Sequence, residues 1–327
     1  MFSLNYKLSS YRSFLHEMAA VFGTTVMNDR LELPPAAGNG YFKSVQFDGV
    51  DAVIYDFVLS EELLVRRMKE DAEYYTLVFD ELPEPAKFAI HIGKESLSEG
   101  PPRNSAIYLT SFLHDVEYSI TSNIHIKGLR IRLSKIWMQK FLQLSSIEEV
   151  LEQYISLKTK NIWRKPVDVE SKELLYQLLE NKEYNLLYYQ NKIHRIIEIF
   201  FIWLVDESRN SPITENISRT DIEAVERIEG MLTSEKLVLP PSMKELARSV
   251  AMSESKLKRI FKIVYGAPVF EYFQKHRMQK ARQMLLSGAF SVKDVGYTLG
   301  YSNLSNFSVA FKKEFGKLPS EVLKQSK

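Results

Sequence analysis

Between Ser242 and Gly316 the chain writes one short layout twice, and this repetition limits its fold more than any other feature of its 327 residues. Residues 243–250 read as a short helix, 251–253 as a turn, and 254–265 as a second helix that stops at Gly266. The layout returns as a helix over 292–299, a turn at Gly300-Tyr301-Ser302, and a helix over 303–315 that stops at Gly316. Helix starts carry their own marks. Thr220 with Glu223, Ser242 with Glu245 and Ser291 with Asp294 fit a capping box or its acidic variant, in which hydroxyl and carboxylate satisfy backbone N–H groups that the first turn leaves unpaired. Ser253 is a fourth candidate N-cap.

The second helix of the first pair divides its residues by face. Leu257, Ile260, Phe261 and Val264 form an apolar stripe, while Glu254, Ser255, Lys256, Lys258, Arg259 and Lys262 lie on the other side. A helix that reads a nucleic-acid groove needs this division, one face on its scaffold and the other offering donors and charge. Between the pairs, Pro268 opens and Gly288 closes a helix of about 19 residues, roughly 28 Å long, enough to set the two second helices about one DNA turn apart.

Charge points the same way. Residues 240–327 hold 16 Lys and Arg against 6 Asp and Glu, a net +10, whereas residues 1–239 hold 27 against 35, a net −8. A basic block joined to an acidic one suggests a polyanion-binding module attached to something else, the competing reading being a lysine-rich solvated surface. The absence of cysteine excludes disulfides, zinc–thiolate sites, iron–sulfur clusters and a thiol nucleophile. No run reaches the roughly 18 apolar residues of a membrane helix, and Arg12, His16 and Glu17 interrupt any signal-peptide core. The expectation is a cytoplasmic protein with no membrane partner.

Residues 42–47, 52–59, 74–79, 88–92, 106–110 and 118–133 are rich in Val, Ile, Tyr and Phe and separated by turn formers, which predicts a small β-barrel or sandwich. Helical spacing takes over at 134–144, 147–157 and 170–180. Residues 184–206 are the most apolar: Tyr189, Ile193, Ile196, Phe200 and Trp203 make one stripe, and Ile197, Phe201 and Leu204 a second. Such a helix is buried on more than one side, as a core helix of its domain or as a dimerisation helix. Residues 207–219, polar and containing Pro212, read as a linker. The expected fold class is α+β: a small N-terminal β-barrel/sandwich with helices over 1–206, and an all-α domain with two helix-turn-helix units over 220–327.

A search for chemistry yields little. The six histidines, His16, His91, His114, His125, His194 and His276, are scattered and lack metal-ligand spacing, and His276 reads as structural or phosphate-facing. Gly38-Asn39-Gly40 follows Pro34-Pro35 rather than a strand and reads as a turn, not a phosphate loop. Tyr41, Phe42, Phe47, Tyr55, Phe57, Tyr74, Tyr75 and Phe79 suit an ordinary β-core better than an organic-ligand pocket. The expectation is a non-enzyme without cofactor or metal.

Across the last hundred residues the chain resembles the DNA-binding domain of the AraC/XylS (arabinose-regulator) family. The matching positions are Glu245-Leu246-Ala247, Met252-Ser253, Leu257-Lys258-Arg259-Ile260-Phe261-Lys262, Gly266, Tyr272, Arg277, Ala281 and Leu285-Leu286 in the first pair. In the second they are Asp294-Val295-Gly296, Gly300-Tyr301-Ser302, Phe307-Ser308, Phe311-Lys312-Lys313, Phe315-Gly316 and Pro319-Ser320. The resemblance implies a transcription regulator, usually an activator, that binds double-stranded promoter DNA beside RNA polymerase. It places base reading on Ser255, Lys258 and Arg259, and on Leu304, Ser305, Ser308 and Val309 with Asn303 and Asn306 as auxiliaries. Lys256, Lys262, Lys312 and Lys313 are the candidates for phosphate contact. Leu304 and Val309 depart from the polar residues common there, and Gly296 stands where alanine is common. The second unit is thus expected to touch thymine methyls and phosphates, and the first to carry most specificity. The family also implies an N-terminal sensor/dimerisation domain, with a small-molecule effector and a homodimer through residues 184–206 as its candidate partners. Two rivals stand beside this reading: an effector-independent DNA-binding protein controlled by abundance or a protein partner, and an enzyme with an appended DNA reader.

Overall fold

The computed structural model describes residues 1–47, 49–69, 74–81, 90–92, 95–96, 105–111, 115–142, 164–180, 185–209, 217, 219–234 and 238–324. They form two compact units, Met1–Ile217 and Ser218–Lys327.

The first unit is sheet-rich. Eight antiparallel strands run in the order β13 (Arg164–Lys165), β10 (Ser105–Ser111), β7 (Tyr74–Glu81), β12 (His125–Ser134), β5 (Val50–Leu59), β4 (Gly38–Phe47), β3 (Arg30–Glu32) and β2 (Val26–Met27). A second sheet has the order β1 (Phe2–Tyr6), β6 (Leu63–Arg67), β11 (Val116–Ile120), β8 (Ile90–Ile92) and β9 (Glu95–Ser96), with β1 parallel to β6. Strand β5 explains the layering. Its Val50, Ala52 and Ile54 enter one core, and its Val53, Tyr55, Phe57 and Leu59, pointing oppositely, enter another. The first core is closed by helices α2 (Lys135–Leu142), α3 (Val169–Leu179) and α4 (Leu186–Arg209); the second by the smaller sheet and helix α1 (Tyr11–Phe22). The eight-stranded sheet is therefore a middle layer buried on both faces, which is why β5 lacks the polar alternation of a half-exposed strand.

Several expectations change. No closed barrel forms: among the described residues neither sheet returns to itself, and two open sheets share a core. The run 118–133 is two strands, β11 and β12, in different sheets, divided by a turn in which Asn123 has φ +61°. Gly38-Asn39-Gly40 lies inside β4 rather than in a turn. Gly38 and Gly40 have φ of +145° and +116°, and a Cβ on either would fall 2.1 Å from the carbonyl oxygens of Val58 and Asp56. Glycine here permits a close approach of β4 to β5. The predicted helix 147–157 lies outside the described residues.

Both stripes of α4 are used within its own unit. Tyr189, Ile193, Ile196, Ile197, Phe200, Phe201 and Leu204 are all buried in the first core, with Trp203 packed at its edge. The helix also continues to Arg209, three residues into the expected linker. No helix among the described residues is long and apolar enough to cross a membrane.

One buried carboxylate gives this unit a pH signature. Asp51 is 6% exposed and its Oδ2 accepts a 2.8 Å bond from the backbone N–H of Tyr11, the first residue of α1. Burial pushes its pKa up to about 6, against the opposing pull of the Tyr11 N–H and of Arg132. The folded pKa exceeds the unfolded value of 3.8, so the native state binds more protons between about pH 4 and pH 6, and stability falls as pH rises through that window. Asp51→Asn keeps an acceptor for Tyr11 and removes the charge. We expect it to flatten this slope and raise stability at pH 7 by about 2 kcal/mol, read from urea unfolding at pH 4.5 and pH 7.

The second unit is all-helical: α5 (Arg219–Thr233), α6 (Met243–Ser249), α7 (Glu254–Tyr265), α8 (Val269–Leu286), α9 (Val292–Thr298), α10 (Leu304–Phe315) and α11 (Pro319–Lys324). Since α5 starts at Arg219, Thr220 lies inside the helix and is not its N-cap.

Candidate nucleic-acid interface

Two helix pairs, α6 with α7 and α9 with α10, are framed by the residues that the sequence marks. The boxes at Ser242/Glu245 and Ser291/Asp294 both form: each serine Oγ accepts from the third residue's N–H, and each carboxylate accepts from the serine's own N–H, at 2.7 Å and 3.1 Å. Each carboxylate also accepts from the same serine's hydroxyl, and that bond together with the one from the serine N–H holds both carboxyl pKa values below the ordinary range. Ser253 caps α7 by accepting from the Lys256 N–H, and Asn303 caps α10 by accepting from the Ser305 N–H at 2.8 Å. Gly266 and Gly316 end the two helices in the left-handed conformation, at φ +75° and +70°.

Both α7 and α10 are thus 12 residues long and framed alike, in a constant register of 50 positions. Leu257 corresponds to Phe307 and Phe261 to Phe311, all fully buried. On the opposite face Ser255 corresponds to Ser305, Lys258 to Ser308, Arg259 to Val309 and Lys262 to Lys312. Ser255, Lys256, Lys258, Arg259 and Lys262 are exposed on α7, as are Ser305, Asn306, Val309, Lys312 and Lys313 on α10; Ser308 is half-buried. Helix α8, which joins the pairs, is 18 residues long, about 27 Å.

Three assignments shift. Val264 is only half-buried, and Tyr265 completes the stripe of α7. Asn303, an auxiliary base reader in the sequence reading, has its side chain engaged as a cap. Leu304, expected to face outward, corresponds in register to Glu254 and is half-buried: its Cδ2 sits 2.6 Å from where a Cβ on Gly296 would lie. Leu304 therefore packs into the space that the missing Cβ of Gly296 leaves, which accounts for glycine inside α9. Gly296→Ala gains helix propensity of up to about 1 kcal/mol but crowds the flexible end of Leu304. The two should be coupled: Leu304→Ala alone loses stability, and Gly296→Ala recovers more of it in that background than it adds to the parent, by about 1 kcal/mol in a thermal-denaturation cycle.

The basic residues are not equally available. Lys256 Nζ lies 2.7 Å from Asp221 Oδ1 on α5, so a phosphate would have to compete with a carboxylate for it. Lys258 stands 3.9 Å from Glu254, one helical turn back and on the solvent side. Arg259, Lys262, Lys312 and Lys313 have no ion-pair partner among the described residues. Asp221→Asn is accordingly expected to strengthen DNA binding a few-fold at low salt and to add up to about one to the magnitude of the log–log salt slope.

Some supports escape a reading of helix faces. On α8, the Arg277 guanidinium donates to the Leu299 carbonyl oxygen and lies 4.5 Å from the Tyr301 ring, and Gln274 Nε2 donates to the Tyr301 hydroxyl at 2.6 Å. Burial lowers the Arg277 pKa from its ordinary value. The Tyr301 ring in turn packs 5.4 Å from Phe307, so α8 fixes the turn that presents α10. Tyr272 donates to Glu229 at 2.7 Å in the interior, joining α5 to α8. His276 is half-buried on α8. Among the described residues no group of three His, Asp or Glu is placed to hold a metal ion.

Residues 246–325 match a family profile described as a helix-turn-helix domain. The chain is similar to the HTH-type transcriptional regulator AlkR of Acinetobacter baylyi, 31% identical over 87 residues that make up 27% of this chain. The aligned stretch spans 28% of AlkR's own length. The second unit carries this helix-turn-helix domain. It also aligns with a solved structure of a probable AraC family regulator from Rhodopseudomonas palustris, at 25% identity over 32% of this chain and 98% of that one, with a TM-score of 0.29. A longer alignment, 226 residues at 24% identity, covers 68% of this chain and 78% of the HTH-type transcriptional activator RhaS of Escherichia fergusonii.

Proposed function

We propose that this chain is a sequence-specific DNA-binding transcription regulator, an activator, that reads two successive major grooves through α7 and α10. The observation that carries the proposal is the pair of equally framed 12-residue helices, each with a buried apolar stripe and an exposed, mainly polar face. A helix fits the major groove of B-DNA, and N-terminal residues of such a helix reach base edges. Ser255, Lys258 and Arg259 on α7, and Ser305, Ser308 and Val309 with Asn306 on α10, are the base-reading set. Lys262, Lys312 and Lys313 anchor phosphates, with Lys256 joining them once it leaves Asp221. The names of the aligned relatives, an activator and a regulator, support this reading over that of an enzyme.

The first unit acts as sensor and dimerisation domain in this proposal. A cavity between its two sheets, lined by Tyr6, Tyr11, Tyr108, Tyr118, Arg67 and Arg130, is the candidate effector pocket. Dimerisation draws no support from the double stripe of α4, because that surface is already buried on the sheet. RNA polymerase is the partner that promoter activation requires.

The test is binding of the full chain to fragments upstream of its own and neighbouring genes at two salt concentrations. Tight, salt-sensitive binding to one fragment is expected. Equal, weak binding to every fragment overturns the proposal.

A further inference from the structure

We infer that α7 and α10 read bases of opposite chemistry, a guanine-bearing step under α7 and a thymine-bearing step under α10. The inference rests on the two-groove reading above and adds to it what each groove must contain.

The argument starts from the common frame. The two helices have the same length, N-caps 50 residues apart and C-caps 50 residues apart, and corresponding buried positions. Side chains at corresponding outward positions therefore leave their helix in the same direction, and any difference in what they recognise is chemical rather than geometric. Two pairs are alike: Ser255 with Ser305, and Lys262 with Lys312. A serine hydroxyl both donates and accepts, so the first pair discriminates little, and the lysines at the far ends suit phosphates.

Lys256 and Asn306 also differ, with Lys256 paired to Asp221 at 2.7 Å; the guanine–thymine contrast falls on the two differing positions at the centre of the face. On α7 they are Lys258 and Arg259, both exposed cations. In the major groove only guanine offers two adjacent acceptors, O6 and N7, which match a guanidinium fork or an ammonium. On α10 they are Ser308 and Val309. Val309 is 70% exposed, an apolar side chain left in water on the outward face. The one apolar feature that bases present in the major groove is the thymine methyl. Leu304 does not supply a second apolar contact, because it is packed into the space over Gly296. No side-chain cation lies on α10 before Lys312, so α10 has no counterpart to the α7 guanine contact.

The experiment is selection of duplexes from a random pool by the full chain and by its Arg259→Ala and Val309→Ala variants, each checked by thermal denaturation to fold like the parent. The parent should enrich two blocks about ten base pairs apart, one containing guanine and one thymine. Arg259→Ala should lose only the guanine block, and Val309→Ala should relax only the thymine block. In the selected duplex, deoxyuridine for thymine removes just the methyl groups. It should weaken parent binding about fourfold per contacted methyl when placed in the second block, and leave Val309→Ala unaffected. Guanine replaced by 7-deazaguanine in the first block should weaken the parent about fivefold or more and leave Arg259→Ala unaffected. Enriched blocks in which deoxyuridine is neutral, or guanine in both blocks, overturn this inference and leave the sequence-specific reading standing. A pool with no enriched block overturns both.

Discussion

Arg259→Ala should lower affinity for the chain's preferred promoter fragment about 10- to 100-fold while changing binding to unrelated duplex less than about threefold. The asymmetry follows from what the guanidinium can do. A bidentate contact to a base discriminates by about 1–3 kcal/mol, whereas a loss of one charge near phosphates weakens all sequences alike. Arg259 is exposed, outward and without an ion-pair partner, so its truncation removes a contact without leaving a buried group unsatisfied. Stability should stay within about 0.5 kcal/mol of the parent. Lys258→Ala should cost less, because that ammonium stands near Glu254 and gives up part of its field in the free protein. Lys262→Ala is the contrast: a uniform loss across fragments and a salt slope shallower by about one. Competition binding at 50 and 200 mM salt separates the three outcomes. Equal losses for Arg259→Ala on all duplexes would move Arg259 to the phosphate set.

Helices α7 and α10 were legible in the sequence because their signals are local. A capping box joins residues three apart, a glycine cap follows directly on its helix, and the apolar stripe of α7 repeats within 12 residues. The packing of Leu304 was not legible for the same reason. An apolar residue at the start of an otherwise polar face looks outward until its neighbour across the turn, Gly296, is known to lack a side chain. In the first unit the long strands were legible, but β1, β6 and α1 were not. Strands β1 and β6 pair across about sixty residues, Phe2 with Leu63, and β6 in turn pairs with β11 some fifty residues later, so no hairpin turn announces either contact. Helix α4 showed how far periodicity reaches. Its two stripes said that it is buried on two sides and could not say by what; the contacts with β4 and α3 decide for its own sheet.

Phe311→Ala should be the most damaging single change in the second unit, at about 3–5 kcal/mol. The ring is fully buried where α10 meets α8 and α9, among Met278, Ala281, Leu285, Val295, Leu299 and Phe307, and lies 5.8 Å from the Phe307 ring and 4.7 Å from the Phe315 ring. Removing it forfeits the buried area and leaves a cavity whose walls belong to four helices, α8, α9, α10 and α11, and cannot all move inward together. A unit of this size has about 5–15 kcal/mol in total, so the melting transition should fall by on the order of 15 °C. The loss should be local in character. Met1–Ile217 is a compact unit with two cores of its own, and its unfolding, followed through the Trp137 and Trp203 fluorescence, should stay near the parent value. Affinity for DNA should fall with the folded fraction and recover when DNA is in excess, since ligand that binds only the native state draws the equilibrium back. A Phe311→Ala protein that melts like the parent yet no longer binds would mean instead that the ring orients α10 without holding it, and that the aromatic stripe acts in recognition more than in stability.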